Sequence, residues 1–176
     1  MKHSLDLFEQ SIPVLRAPAP EDGARIAALA EDFASGKARD IPETLVGRGA
    51  FRETSVLAEL DGKLLGWVSA YILPYDPQTL FIWTVEVVKT ERDPGLSSLM
   101  LGYLMRQEPC AGVTRVQTVI SCDEERPWTL FRRFAHWQHS RMDIQPYFTQ
   151  ALTPHKRHEN DNLVTICLQD SNRRAA

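Results

Sequence analysis

Three stretches of this sequence carry residue types and spacings that could do chemistry. The first is Trp83-Thr84-Val85-Glu86-Val87, at the end of an apolar run. Glu86 alternates with Val85 and Val87, so it points to the opposite sheet face, where an exposed carboxylate is expected ahead of a catalytic base. Trp83, inside the same strand, is expected in the core. The second stretch is Arg92-Asp93-Pro94-Gly95-Leu96-Ser97. An arginine and a glycine just before a helix suggest a nest of backbone N–H groups for phosphate. Asp-Pro at the same place also reads as helix punctuation, with Asp as N-cap and Pro as the first helical residue. The third stretch is His158-Glu159-Asn160-Asp161, a base and carboxylates side by side, which by itself reads as a solvated loop before a strand.

Other nucleophile and metal patterns are missing from the sequence. There is no Gly-x-Ser-x-Gly, P-loop or zinc motif. The serines of GLSSLM have no local base. Cys110, Cys122 and Cys167 are odd in number and match no metal spacing, so buried or indifferent thiols in a reducing cytoplasm are expected. His136 and His139 lie at a helix end, where they suit the dipole. Arg132 and Arg133 read as a solvated helix face, and Arg115 as an exposed strand residue.

The elements that must position these residues follow from periodicity. VLRAP (14–18) reads as a short edge strand ended by proline. Ile26, Leu29, Ala30 and Phe33 give the first helix an apolar face. Residues 35–53 hold three glycines and a proline and read as loop or broken helix. TSVLAEL and KLLGWVSAYIL flank Asp61-Gly62, the best hairpin signal in the chain. PYDP is a turn and QTLFIWTVEVV a third strand. A helix over 94–107 carries Leu96, Leu99, Met100 and Tyr103 on one stripe. VTRVQTVIS is a strand. Asp123 can cap a helix running to about 138, with Pro127 in its first turn. QPYFTQAL and NLVTICL are two closing strands. Together these give an α/β (α+β) domain with a mostly antiparallel mixed sheet flanked by helices. One βαβ unit lies near 80–121, and a ligand is expected at the strand end that feeds its helix.

Bulk properties narrow the function classes. A chain of 176 residues favours one domain over 1–176, with a loose leader at 1–13 and a tail at 169–176. At 43% apolar and 24% charged it has the composition of a folded soluble domain. A net charge of −3 argues against general electrostatic binding to nucleic acid or an anionic membrane. Apolar runs are about strand length, far short of the ~18 residues of a membrane span. No signal-peptide pattern opens the chain, so a cytoplasmic location is expected.

The strand–helix–strand–helix block and its Arg-x-x-Gly-Leu junction resemble the GNAT superfamily of acetyl-CoA-dependent N-acetyltransferases. Within it, RAPAPEDGARIAAL (16–29), ETSVLAEL (53–60), GWVSAYILPYDPQTLFIWTVEV (66–87), LFRRFA (130–135), QPYF (145–148) and HENDNL (158–163) resemble the diaminobutyrate acetyltransferases of ectoine biosynthesis. The resemblance implies an acyl-CoA N-acyltransferase fold and direct acetyl transfer to the 4-amino group of L-2,4-diaminobutyrate. It implies acetyl-CoA as co-substrate, no metal, a small-molecule amine as partner and a homodimer. It places the cofactor on Val85, Glu86, Val87, Arg92, Gly95, Leu96, Ser97, Asp123 and Phe131. It gives substrate handling to Trp83, Thr84, His158, Glu159 and Asp161, with Trp83 and His158 in the catalytic group and His158 as candidate base.

Several positions depart from the family pattern. Asp93-Pro94 replaces a Gly-x pair, Glu124 an amide, Pro127 a hydroxyl, and Thr84 a glutamine. Lys37 and Arg39 stand where acidic and amide residues belong. An acceptor other than a diamine, such as an acidic one that Lys37 and Arg39 would suit, or a non-enzymatic protein on the same fold, therefore stays open as an alternative.

Overall fold

The structure is a computed structural model that describes residues 12–28, 49–88, 94–147 and 161–168. Seven strands form one sheet: β1 (Val14–Arg16), β2 (Ser55–Leu60), β3 (Lys63–Leu73), β4 (Asp76–Val87), β5 (Arg115–Ser121), β6 (Arg141–Pro146) and β7 (Asp161–Cys167). Their spatial order is β1-β2-β3-β4-β5-β7-β6. The β4–β5 contact is parallel and the other pairings are antiparallel. Helices α1 (Asp22–Ala28), α2 (Gly49–Glu53), α3 (Pro94–Leu104) and α4 (Glu125–Trp137) flank the sheet. The mostly antiparallel sheet and its single βαβ unit, β4–α3–β5, match the reading of the sequence.

The hairpin at Asp61-Gly62 forms as its residues require. Both have positive φ, 50° and 76°, the conformation of a two-residue turn that matches the twist of its strands. The main core lies between the sheet and helices α3 and α4. Its α3 stripe is Leu96, Met100, Leu101 and Leu104, whereas Leu99 is 49% exposed and Tyr103 only partly buried. The expected stripe was therefore turned by part of a helical step. The helix also stops at Leu104, and a short 3-10 turn, Glu108–Cys110, follows. Gly66 in β3 has a packing reason. A Cβ there would lie 2.8 Å from the Glu86 carbonyl oxygen and 2.9 Å from Met100 Cε.

A smaller core of Ile26, Leu57, Leu64 and Trp67 covers the other sheet face under α1. An ion network ties α1 to the sheet. The Arg16 guanidinium donates to Asp22 at 2.6 and 2.9 Å and to Glu59 at 2.8 Å, and Arg25 donates to the same two carboxylates. The Asp22 carboxyl, buried at 3% exposure, also accepts from the Ala19 N–H. These donors, Arg16 first, hold it down to about 2. Asp22 thus binds α1 to β1 and, through the arginines it shares with Glu59, to β2.

Other boundaries shift. β4 begins at Asp76, so the turn is Pro74-Tyr75. A strand runs over Arg141–Pro146 and takes in the start of QPYFTQAL, whose residues 148–152 lie outside the described residues. The N-cap of α4 is Glu124, whose side chain makes no capping hydrogen bond, while Asp123 is exposed one residue before it. Pro127 does fall in the first turn. Instead of an Asp cap, the Trp128 indole N–H donates to the Ser121 carbonyl at 3.0 Å and pins α4 to the end of β5. Arg132 is exposed as expected, yet its guanidinium lies over the Trp128 ring at 5.6 Å. Cys110 is buried, and burial pushes its thiol up to about 11. Cys122 and Cys167 are exposed, the latter at the last position of β7.

Candidate functional site

The site is set by how β4 and β5 meet. Their parallel ladder consists of Thr79↔Arg115, Leu80↔Val116 and Phe81↔Gln117. Beyond Phe81 both strands continue, β4 to Val87 and β5 to Ser121, without pairing to each other. The seam therefore opens toward the strand ends that feed α3 and α4, the position at which parallel strands leave a crevice.

A β-bulge shapes the opening on the β4 side. Pairing with β3 passes from Ser69↔Thr84 to Ala70↔Ile82, which leaves Trp83 as the extra residue. The bulge changes which side chains face the main core. Leu80 and Ile82 belong to it before the bulge, and Val85 and Val87 pack on it afterwards. Thr84 and Glu86 are thereby directed to the face they share with Ser69 and Trp67.

A cavity of about 840 Å³ fills the opening, within the size range of small-molecule sites. Ile82–Val87 of β4 form one wall and Thr118–Ile120 of β5 the other. Ser97 and Ser98 from the start of α3, and the first turns of α4 with Phe131, close it. Four charged residues border it, the N-cap Glu124 and, in α4 itself, Glu125, Arg126 and Arg133. Arg133 is thus a cavity residue as well as an exposed one.

Glu86 is the carboxylate of this cavity on β4. It is fully buried, and the Thr84 hydroxyl, itself 4% exposed, donates to its Oε1 at 3.1 Å. The expectation of an exposed-face residue is overturned, because the smaller core covers the opposite sheet face at this point. Trp83 departs in the other direction. It is 41% exposed, since the bulge takes it out of the ladder, and it lines the cavity. Its ring ends an aromatic row with Phe81, Tyr71 and Phe51, at centroid spacings of 6.3, 5.4 and 5.7 Å.

The cavity thus brings together Trp83, Thr84, Val85, Glu86, Val87, Ser97 and Phe131 of the residues singled out by sequence. Leu96 turns its side chain into the core. Gly95 and Asp123 are exposed and do not border the cavity. Asp161 opens β7 opposite Ser121, also outside the lining. Pro94 is the first residue of α3, as its type suggests. Arg92, Asp93, His158, Glu159, Lys37 and Arg39 lie outside the described residues. Reasoning from sequence missed Thr118, Arg126 and Thr129 in the lining. Their only signal was position, at the end of a strand or in the first turns of the helix after it.

The opposite end of the seam is closed. Arg115 Nη2 donates to Asp76 Oδ2 at 2.7 Å and its Nε to Thr79 Oγ1 at 3.0 Å. The Thr79 hydroxyl donates to the same Asp76 oxygen at 2.6 Å. The hydrogen bonds from Thr79 and Arg115 lower the Asp76 pKa. Arg115 is consequently a paired residue and not a free exposed one. Among the described residues no cluster of His, Cys, Asp or Glu could hold a metal ion, and no helix is long and apolar enough to cross a membrane.

A strand-splayed sheet with a bulged β4 and a cavity roofed by two helix starts is the architecture of an acyl-CoA-dependent acyltransferase. Residues 24–137 match the model of the acetyltransferase (GNAT) family, and the chain belongs to that family. It is 30% identical to the L-2,4-diaminobutyric acid acetyltransferase of Vibrio cholerae over 90% of this chain and 92% of the relative. It is 31% identical to the protein of that name from Nocardia farcinica, over 84% of this chain and 77% of the relative. In three dimensions it resembles the diaminobutyrate acetyltransferase EctA of Paenibacillus lautus, solved with L-2,4-diaminobutyric acid and coenzyme A. There the TM-score is 0.77 and the identity 29%, with 90% of this chain and 96% of that one covered.

Proposed function

We propose that the protein transfers the acetyl group of acetyl-CoA to the 4-amino group of L-2,4-diaminobutyrate. The observation that carries this reading is the cavity at the open end of the β4–β5 seam, with a buried carboxylate on the bulged strand. The residues present suit an acyl-CoA. The walls are largely apolar, and the cavity is long enough to run from Glu86 to α4. Arg126 and Arg133 supply cations for phosphates, and the starts of α3 and α4 orient helix dipoles favourably for anions.

Acetyl-CoA supplies a thioester, an acetyl group already activated for attack. The protein must then make the amine neutral, polarise the acetyl carbonyl and keep water out. Glu86 is the group placed to take the ammonium proton, and Thr84 fixes one of its oxygens. The backbone of Ile82–Val87, released from the β5 ladder, is the source of N–H donors for the carbonyl. Trp83 offers an aromatic face to an ammonium group of the acceptor, a contact of about 0.5–2 kcal/mol. The cytoplasmic location and the homodimer implied by the resemblance are part of this proposal. Light scattering of the purified chain checks the dimer.

Release of coenzyme A thiol over a panel of amines tests the function. L-2,4-diaminobutyrate is expected to give the highest kcat/KM, and Trp83→Ala to raise the acceptor KM about fivefold or more while acetyl-CoA affinity is kept. A panel led by an acidic acceptor would overturn the choice of substrate.

A further inference from the structure

Two buried polar atoms have no hydrogen-bond partner among the described residues: the Trp67 indole Nε1 and the Ser69 hydroxyl. Both residues are 1% exposed. Orphans of this kind are rare, because an unsatisfied buried polar group costs about 1–3 kcal/mol. Their location gives them a use. In the β3–β4 ladder Trp67 lies opposite Glu86 and Ser69 opposite Thr84. Opposed residues of an antiparallel pair share a face, with Cβ atoms about 4.5–5.5 Å apart. The two unused donors therefore sit beside the hydrogen-bonded pair Thr84 and Glu86. Neither residue borders the cavity itself. Thr84 and Glu86 belong to the strand segment that walls the cavity, and Trp67 and Ser69 stand beside them on the same sheet face.

We infer that Trp67 and Ser69 are positioning residues for Glu86, whose donors engage the Thr84–Glu86 pair when the acceptor amine is bound. The inference rests on the reading of the cavity as an acetyltransferase site. An ammonium group arriving at Glu86 pulls on the carboxylate. Thr84 holds one oxygen, and the Trp67 and Ser69 donors, neighbours on the same sheet face, limit how far the side chain can move. Hydrogen bonds of this type are loose in a free enzyme and tighten in the reacting complex. Two orphan donors in a folded core are tolerated for that purpose at a cost in stability. The charged groups that border the same cavity from α4 and its N-cap, Glu124, Glu125, Arg126 and Arg133, act from its other wall.

Ser69→Ala, Trp67→Phe and Ser69→Thr, made in the full chain, test the inference. Thermal unfolding, acetyl-CoA titration by calorimetry, and kcat and KM for L-2,4-diaminobutyrate are measured for each. Ser69→Ala and Trp67→Phe remove an orphan, so the melting temperature is expected to stay or rise, and the acetyl-CoA Kd to stay within about twofold. The acceptor kcat/KM is expected to fall roughly tenfold, mostly in kcat, because a misplaced reacting group costs rate more than binding. Ser69→Thr keeps the hydroxyl and restores most of the rate. Unchanged kcat and KM in both deletion variants would overturn the inference and leave the acetyltransferase reading intact. A parallel fall of melting temperature, acetyl-CoA affinity and rate would also overturn it, since that is the mark of a packing role. A wild-type protein that releases no thiol with any amine would overturn the function on which it rests. If Ser69→Ala fails to fold, Ser69→Thr and Trp67→Phe decide.

Discussion

The two ends of the β4–β5 seam are built from the same pair of strands and behave in opposite ways. At one end Thr79, Leu80 and Phe81 pair with β5, and Asp76, Thr79 and Arg115 lock the strands together through side chains. At the other end the ladder stops, Trp83 bulges out, and a cavity opens beside the strand that carries a buried glutamate. The closed end spends its polar groups on each other. The open end keeps several of them for a ligand. One end fixes the angle at which the strands part, and the other uses the gap.

The largest expected effect lies at the open end. Glu86→Gln keeps the shape and removes the proton acceptor, so kcat should fall about 10²- to 10⁴-fold, while the acetyl-CoA Kd changes little. Thiol-release kinetics beside calorimetry would show it. A variant with near wild-type kcat would move the base elsewhere, with His158 the next candidate.

Gly66→Ala strikes at the packing behind that end. Its methyl would meet the Glu86 carbonyl oxygen, which is backbone and cannot step aside as the tip of Met100 can. A loss of about 1–3 kcal/mol is expected in denaturant unfolding, with weaker acetyl-CoA binding because β4 must shift. Full stability would show that the strands are looser than their close approach implies.

Asp22→Asn is a control remote from the seam. It should cost about 1–3 kcal/mol through the lost charged hydrogen bonds to Arg16 and Arg25, with acetyl-CoA affinity unchanged. The carboxyl titrates at about 2 in the folded chain and near 4 when unfolded. Its contribution is therefore complete above pH ~4 and lost as pH falls from ~4 toward ~2. Wild type should show that acid slope in unfolding free energy against pH, and Asp22→Asn should show a shallower one, since the lowered carboxyls of Glu59 and Asp76 remain.

The smallest effect is expected at the closed end. Arg115→Ala breaks a half-exposed clamp, and the melting temperature should drop by only a few degrees. Acetyl-CoA affinity should stay within about twofold, since the backbone ladder still holds the strands. A large loss of affinity would mean that the clamp, not the ladder, sets the gap.

Much of this arrangement can be read from the sequence. Asp61-Gly62 announces the hairpin, and the run from Gln78 to Val88 with the helix after it announces the βαβ unit. Alternation correctly separates Glu86 from Val85 and Val87. It cannot say that the face receiving Glu86 is also covered, because that depends on Trp67, Leu57 and Ile26 meeting from three other elements. Nor can it show that Trp83 is the bulged residue, since a bulge is a relation between two strands. Leu99 was misplaced for a similar reason. The stripe of α3 is nearly apolar all round, so periodicity does not select the buried side. The pairing of Arg115 with Asp76 joins residues far apart in the chain and leaves no local trace.

The claim that the open end of the seam holds the acyl donor has one direct measurement. Acetyl-CoA is titrated into the purified full chain by calorimetry. The account predicts one site with a Kd in the micromolar range. No heat of binding up to millimolar acetyl-CoA would contradict it.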